Sequence, residues 1–240
     1  MTDVLFPFVA LAIAGFAKGL VGLGLPPIAM GLLVLTMSPV EAAALMVIPA
    51  LLTNLWQGVT GPNLVPLLRR FWLMFLLTAA GTLAFAGALN THAETAIRVL
   101  GGLLIVYGLY ALVSPIVALS QRGERWLAPI SGALTGLVTA FTGVSSMPAV
   151  PFLKAVGLPK DAFIQAMGLS FSISALALIV SLGATGGLSG QPVLPILLAT
   201  GGAFWGMSLG AKLRARIDEA LFGKLILIVL IVLGTYLTIR

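Results

Sequence analysis

A chain of 240 residues that is 60% hydrophobic and 8% charged, with a mean hydropathy of +1.14, carries more apolar surface than a soluble domain of this size can bury. Cysteine is absent, which excludes disulfides, thiolate metal sites and cysteine catalysis. The net charge of +6 lies between apolar runs, so it reads as membrane orientation and not as a nucleic-acid surface.

Apolar stretches near 3–24, 40–60, 70–90, 95–117, 126–143, 161–182, 191–211 and 219–239 each offer enough residues to cross a ~30 Å hydrocarbon core. The first follows Met1-Thr2-Asp3, which lacks the basic region of a signal peptide, so a retained helix is expected. It contains Lys18 and ends in the break Gly22-Leu23-Gly24-Leu25-Pro26-Pro27. Glycine tolerates bare backbone and Pro26-Pro27 can open a new helix, so a short arm near 27–37 follows. At ~1.5 Å per residue that arm covers about half a membrane. The turn Ser38-Pro39-Val40-Glu41 leads into a helix carrying Thr53, Asn54 and Gln57 on one face.

The second half repeats the order. Gly15, Gly19 and Leu20-Val21 align with Gly132, Gly136 and Leu137-Val138. The break Phe141-Thr142-Gly143-Val144-Ser145-Ser146-Met147-Pro148 precedes a short arm near 147–156. The turn Leu158-Pro159-Lys160-Asp161 precedes a helix carrying Gln165, Ser170, Ser172 and Ser174. Arg98, Gly108 and Tyr110 then align with Lys224, Gly234 and Tyr236. The fold class expected is an all-α polytopic membrane protein of two homologous repeats, 1–120 and 121–240.

Repeat orientation follows from the charges. If segments 14–38 and 131–157 fold back as hairpins, the loops bearing Arg69, Arg70, Arg122, Arg125, Lys154, Lys160, Lys212, Arg214 and Arg216 share one side. Arg98, Lys224 and Arg240 fall near the other, with Asp3, Glu41, Glu94 and both termini. The positive-inside rule favours this arrangement over eight simple passes. Each half then has a broken-helix hairpin plus three spanning helices, and the halves are inverted.

Helix N-termini at the two breaks present free N–H groups and the positive end of the dipole, which suits an anion. The main-chain donors at 27–29 and 145–147 are therefore candidates. The expected substrate-binding set is Lys18, Gly22, Gly24, Asn54, Gln57, Thr142, Gly143, Ser145, Ser146 and Gln165. An unpaired lysine inside a membrane costs ~2.5–3.5 kcal/mol on insertion scales, and a bound anion would offset it. The alternative is that Lys18 snorkels to the cytoplasmic side. Amides and hydroxyls in such helices also serve as helix–helix ties, and the breaks also serve close packing. Glu41 and Asp161, in the first turn of their helices, favour the dipole more simply than proton coupling. His92 reads as a solvated loop residue. No catalytic set and no metal-spaced acids are present, so neither an enzyme nor a cofactor is expected.

These residues resemble the TauE/SafE (sulfite exporter, toluene-sulfonate uptake) family. The resemblance rests on Gly15…Gly19-Leu20-Val21-Gly22-Leu23-Gly24 with Ser38-Pro39-Val40-Glu41-Ala42, and on Gly132…Gly136-Leu137 with Gly157-Leu158-Pro159-Lys160-Asp161-Ala162. It implies a multi-pass carrier in a bacterial inner membrane for small sulfur-containing or organic anions, such as sulfite, sulfonates or sulfoacetate. The chain departs from the family's glycine runs at Leu25-Pro26-Pro27 and at Thr142–Ser146. A proton or sodium coupling ion, an anion channel and a non-transporting scaffold stay open, as does the oligomeric state.

Overall fold

The computed structural model describes residues 2–22, 24–91, 93–113, 118–214, 216 and 218–239, without the side chains of 2–4, 219 and 220. Leu23, His92, Arg240 and the Asp3 side chain, all singled out above, lie outside the described set.

The described residues form helices α1 (Thr2–Val21), α2 (Leu25–Leu33), α3 (Pro39–Val59), α4 (Leu64–Ala84), α5 (Ala88–Thr91) and α6 (Ala93–Val113) in the first half. The second half holds α7 (Gln121–Thr142), α8 (Ala149–Ala155), α9 (Lys160–Ala184), α10 (Val193–Leu213) and α11 (Glu219–Ile239). Among the described residues six segments are long and apolar enough to cross a membrane: Pro39–Val59, Leu64–Thr91, Ala93–Val113, Lys160–Ala184, Val193–Leu213 and Leu221–Ile239. The bundle has an apolar core in which a minority of polar side chains is buried, and its outer surface is apolar as well. Thr53, Asn54, Thr135 and Gln165 are buried, whereas Trp56, Trp72, Trp126 and Trp205 are exposed on its outer surface. That surface suits a lipid surround, in which apolar side chains cost nothing on the outside.

The breaks arise where the sequence placed them. Gly22 (φ 83°) follows the end of α1 and Gly143 (φ 71°) caps the end of α7, left-handed values that stop a helix without a Cβ clash, while Gly24 (φ 102°) is the N-cap of α2. Pro26-Pro27 then occupy the first turn of α2, where no amide donor is required. Ser38 opens α3 with a reciprocal cap: Glu41 N–H donates to Ser38 Oγ at 3.3 Å, and Ser38 N–H donates to Glu41 Oε2 at 2.9 Å. This gives Glu41 the capping role.

Both hairpins fold back. The turn at Thr36–Glu41 lies beside Leu5–Val9 of α1 and beside Gln191, Pro192 and Pro195 at the start of α10. It also lies beside Glu94–Arg98 of α6 and Leu237 of α11. At the opposite end of the bundle, Leu119 N–H donates to Ala155 C=O at 2.9 Å, tying the start of α7 to the end of α8. Arg70 pairs bidentately with Glu124 at the same end, at 2.6 and 2.7 Å. That end also holds Lys154 and Lys160. Lys224, expected at the other side, lies near the start of α11, while Leu237 at the far end of that helix adjoins Arg98. The correction follows from α11 being a full pass that starts where α10 ends, and it enlarges the charge asymmetry.

The repeated glycines set the close helix contacts. A Cβ on Gly15 would stand 2.2 Å from Ala203 C=O, one on Gly19 2.1 Å from Met207 C=O, and one on Gly210 2.2 Å from Phe16 C=O. Between α7 and α4 the equivalent distances are 2.2 Å from Gly132 to Met74 C=O, 2.3 Å from Gly136 to Thr78 C=O, and 2.8 Å from Gly81 to Ala133 C=O. Both pairs run parallel, because contact positions rise together along the two chains. The pairs α3–α9 and α6–α11 are antiparallel: Gly58 meets Gly168, and Gly61 meets Gln165; Gly101 meets Gly234, and Gly108 meets Leu227. The α4–α7 seam adds hydroxyl ties, with Thr78 Oγ1 donating to Gly132 C=O at 3.2 Å and Thr82 Oγ1 to Gly136 C=O at 3.3 Å.

Candidate anion site at the helix breaks

Lys18 is 5% exposed, so it does not snorkel. Its Nζ donates to Thr53 Oγ1 at 3.2 Å and to Asn54 Oδ1. Both acceptors are neutral. Thr53 in turn donates to Pro49 C=O at 2.8 Å, which fixes its hydroxyl as an acceptor toward the lysine. Asn54 is 1% exposed, and its Nδ2 has no partner. A buried donor without a partner costs ~1–3 kcal/mol, the kind of deficit a ligand or water can cancel.

Asn54 faces a small cavity between the halves. Its walls come from Pro26 of α2, from Met46, Val47 and Ala50 beside Asn54 on α3, from Thr139, Gly143 and Ser145 of the second break, and from Ser174 and its neighbours on α9. No charged side chain is in the lining. The space open to the centre of a water-sized sphere is ≈10 Å³, room for about one water. The cavity is therefore too small for an anion larger than water.

The sequence-derived set divides. Asn54, Gly143 and Ser145 line the cavity, Lys18 is one hydrogen bond behind Asn54, and Ser146 is buried beside Ser145. Gly22 and Gly24 shape the first break. Thr142 is turned inward on its own helix, donating to Val138 C=O at 2.7 Å and accepting from Val144 N–H at 3.2 Å. Gln57 Nε2 donates to Ile164 C=O at 3.0 Å. Gln165 donates to Gly58 and Gly61 C=O, each at 2.9 Å, and accepts Asn63 N–H at 2.9 Å. Gln57 and Gln165 thus tie α3 to α9 and are not among the cavity's lining residues. Of the proposed main-chain donors, Ile28 N–H is already bonded to Gly24 C=O at 3.1 Å. Gln165→Ala is expected to lower stability by about 1–2 kcal/mol, the scale of membrane-buried hydrogen bonds taken together, read as a fall in thermal unfolding temperature in detergent.

Thr139 escaped the sequence reading. Its signal was its place four residues before Gly143, on the same helical face. Three further hydroxyls are buried without partners: Thr135 and Ser131, successive turns back along α7, and Ser170, one turn back from Ser174 on α9. Each is nearer the cationic end than the cavity. Thr135 is also the position equivalent to Lys18, so the two copies differ where the charge sits.

A lysine buried among neutral groups thus stands one hydrogen bond from a cavity lined by residues of both helix breaks. The family model for the sulfite exporter TauE/SafE matches residues 7–237. The chain belongs to the TauE/SafE family. Searches of curated proteins and of solved structures return no match. As a TauE/SafE member the chain is a multi-pass membrane transporter of the sulfite exporter type, and the six long apolar helices agree with that.

Proposed function

We propose that the protein exports small sulfur-containing or organic anions, such as sulfite or sulfonates, by alternating access at the cavity beside Asn54. The single observation that carries this reading is Lys18: a buried cation held by a hydroxyl and an amide oxygen, one bond from an unpartnered donor in the cavity wall. In this reading Lys18, Asn54, Ser145 and Ser146 hold the anion, with Thr139 and Ser174 completing the wall. Gln57, Gln165 and Thr142 support the scaffold.

Two inverted repeats, 1–120 and 121–240, provide the moving parts. Supporting this are the matched glycine contacts of α1–α10 and α4–α7, and the opening of the two hairpins at opposite ends of the bundle. Three full passes follow each hairpin, so the second copy runs the other way. Rocking of one unit against the other would open the cavity alternately. The cationic end is cytoplasmic in a bacterial inner membrane by the positive-inside rule. The unpartnered hydroxyls of Ser131, Thr135 and Ser170 mark the approach from that end. An anion leaving a negative interior moves downhill by ~2.3 kcal/mol per charge per 100 mV, so export needs no coupling ion.

Proteoliposomes loaded with labelled sulfite or a sulfonate are expected to show saturable flux accelerated by counterflow. Conductance of many ions per opening would replace the carrier with a channel, and no flux with any anion would sink the reading. The absence of cysteine makes topology testable. Single cysteines at positions 40 and 189 are expected to label from one face, and at 65 and 120 from the other; labelling of 120 and 189 from one face rejects the inverted arrangement.

A further inference from the structure

Resting on the carrier reading, we infer that the site selects by charge: it takes monoanions, hydrogen sulfite or organic monosulfonates, and rejects dianions such as sulfite proper, sulfate or sulfoacetate. The argument is a count of charges within reach of the cavity. Its lining holds none, and Lys18 stands one hydrogen bond behind the lining through Asn54.

Among the described residues no second cation lines the cavity, and Lys154, in the last turn of α8, lies with Lys160 at the cationic end. Lys18 lies on α1, which packs against α2, α3, α10 and α11. Helix α2 has no titratable side chain, and that of α3 is Glu41 in its first turn, at the far end. On α10 it is Lys212, exposed in the last turn. On α11 the described titratable side chains are Lys224 and Tyr236, exposed or half-exposed and toward the two ends of that helix. From the other half, α7 has its charged residues within its first two turns. Those of α9 lie at its first two residues.

Helix dipoles do not make up the difference. The cavity wall takes the start of α2 at Pro26, a positive end, and the terminus of α7 at Gly143, a negative end. Their partial charges, each about half a unit and opposite, offset one another. The site therefore contributes close to one positive charge. A monoanion with protonated Lys18 leaves a neutral complex, while a dianion leaves a full uncompensated charge in a buried, low-dielectric place. An unpaired buried charge of that kind weakens binding by ~100-fold or more. Asn54 Nδ2 and the Ser145 hydroxyl suit the oxygens of either ion, so they recognise the sulfonyl group without distinguishing its charge.

The test uses the wild-type protein in proteoliposomes, and its probes differ in charge and share a sulfur oxyanion. Methanesulfonate is a monoanion throughout the neutral range, sulfoacetate is a dianion, and sulfite changes from monoanion to dianion near neutrality. Methanesulfonate, whose own charge is constant, is the reference, because any change in the charge of Lys18 moves its KM and that of sulfite together. The KM for total sulfite relative to that of methanesulfonate is expected to rise about tenfold per pH unit above the point where hydrogen sulfite loses its proton, as the binding species is depleted. Sulfoacetate is expected to compete with methanesulfonate at least ~100-fold more weakly than methanesulfonate does with its labelled form. Equal competition by sulfoacetate, or a sulfite KM that keeps a constant ratio to that of methanesulfonate across pH, overturns charge selection while leaving the carrier standing. No flux and no competition with any of the three overturns the carrier reading, and charge selection with it.

Discussion

Gly206→Ala is expected to lower the stability of the folded protein by about 3 kcal/mol, and Gly206→Leu to abolish the folded form. The added Cβ would lie 2.0 Å from Ala12 C=O, a backbone atom that can yield only if α1 and α10 separate along their length. Those helices form the tightest seam in the molecule, and Gly202, Gly206 and Gly210 face Phe8, Ala12 and Phe16 on successive turns. In lipid, such packing is itself the main attraction between helices, because no hydrophobic effect rewards their association. The loss therefore has no compensation. Gly201→Ala and Gly102→Ala are the controls. Both glycines are helical, and a Cβ on either meets nothing within 4 Å, so alanine there is expected to be neutral or to stabilise by up to ~1 kcal/mol through helix propensity. Reversible unfolding in mixed micelles, with size-exclusion profiles after heating as a second readout, separates the two outcomes. Equal behaviour of Gly206→Ala and Gly201→Ala would refute the seam.

The sequence made the breaks and the spans legible because both depend on local chemistry. Gly24, Pro26-Pro27 and Gly143 act through their own backbone preferences, and a run of apolar residues shows its length directly. Charge placement exposed the fold-back of both hairpins for the same reason, since Lys154 and Lys160 must share water with Arg122 and Arg125. What the sequence left obscure depends on partners distant in the chain. Gln165 and Gln57 have the composition of site residues, yet their amides are taken up by main-chain groups about a hundred positions away, at Gly58, Gly61 and Ile164. Thr139 is indistinguishable by type from Thr142, yet the first lines the cavity while the second bonds within its own helix. The glycine repeats show the same limit. Their recurrence was visible, but their seats on α10 and α4, and not on their own hairpin arms, required the packed structure.

Lys18→Met is expected to reduce anion flux by at least ~100-fold while leaving stability unchanged within about 1 kcal/mol. Two terms oppose each other in the empty protein. Methionine removes a cation whose insertion costs ~2.5–3.5 kcal/mol, and it leaves Asn54 Oδ1 without a donor, which costs ~1–3 kcal/mol. Methionine also fills nearly the same volume, so no cavity term is added. A lysine kept only to tie α1 to α3 predicts the reverse: a protein weakened by several kcal/mol, with flux falling only in step with the folded fraction. Asn54→Asp sharpens the contrast. It is nearly isosteric and places a carboxylate where Lys18 already donates, converting a charge–dipole contact into an ion pair. The internal carboxylate then does for Lys18 what the transported anion does in the native site. The unfolding temperature is expected to rise and transport to fall by at least ~100-fold, because an incoming anion meets a site whose single positive charge is already neutralised. The double variant Lys18→Met with Asn54→Leu removes both the charge and the orphaned amide, and is expected to fold as stably as the wild type and to remain silent for every anion. Stability gained in Asn54→Asp and kept in the double variant, while transport is lost in both, is the behaviour of a site that holds its charge for a ligand; parallel loss of stability and transport would make Lys18 a structural tie.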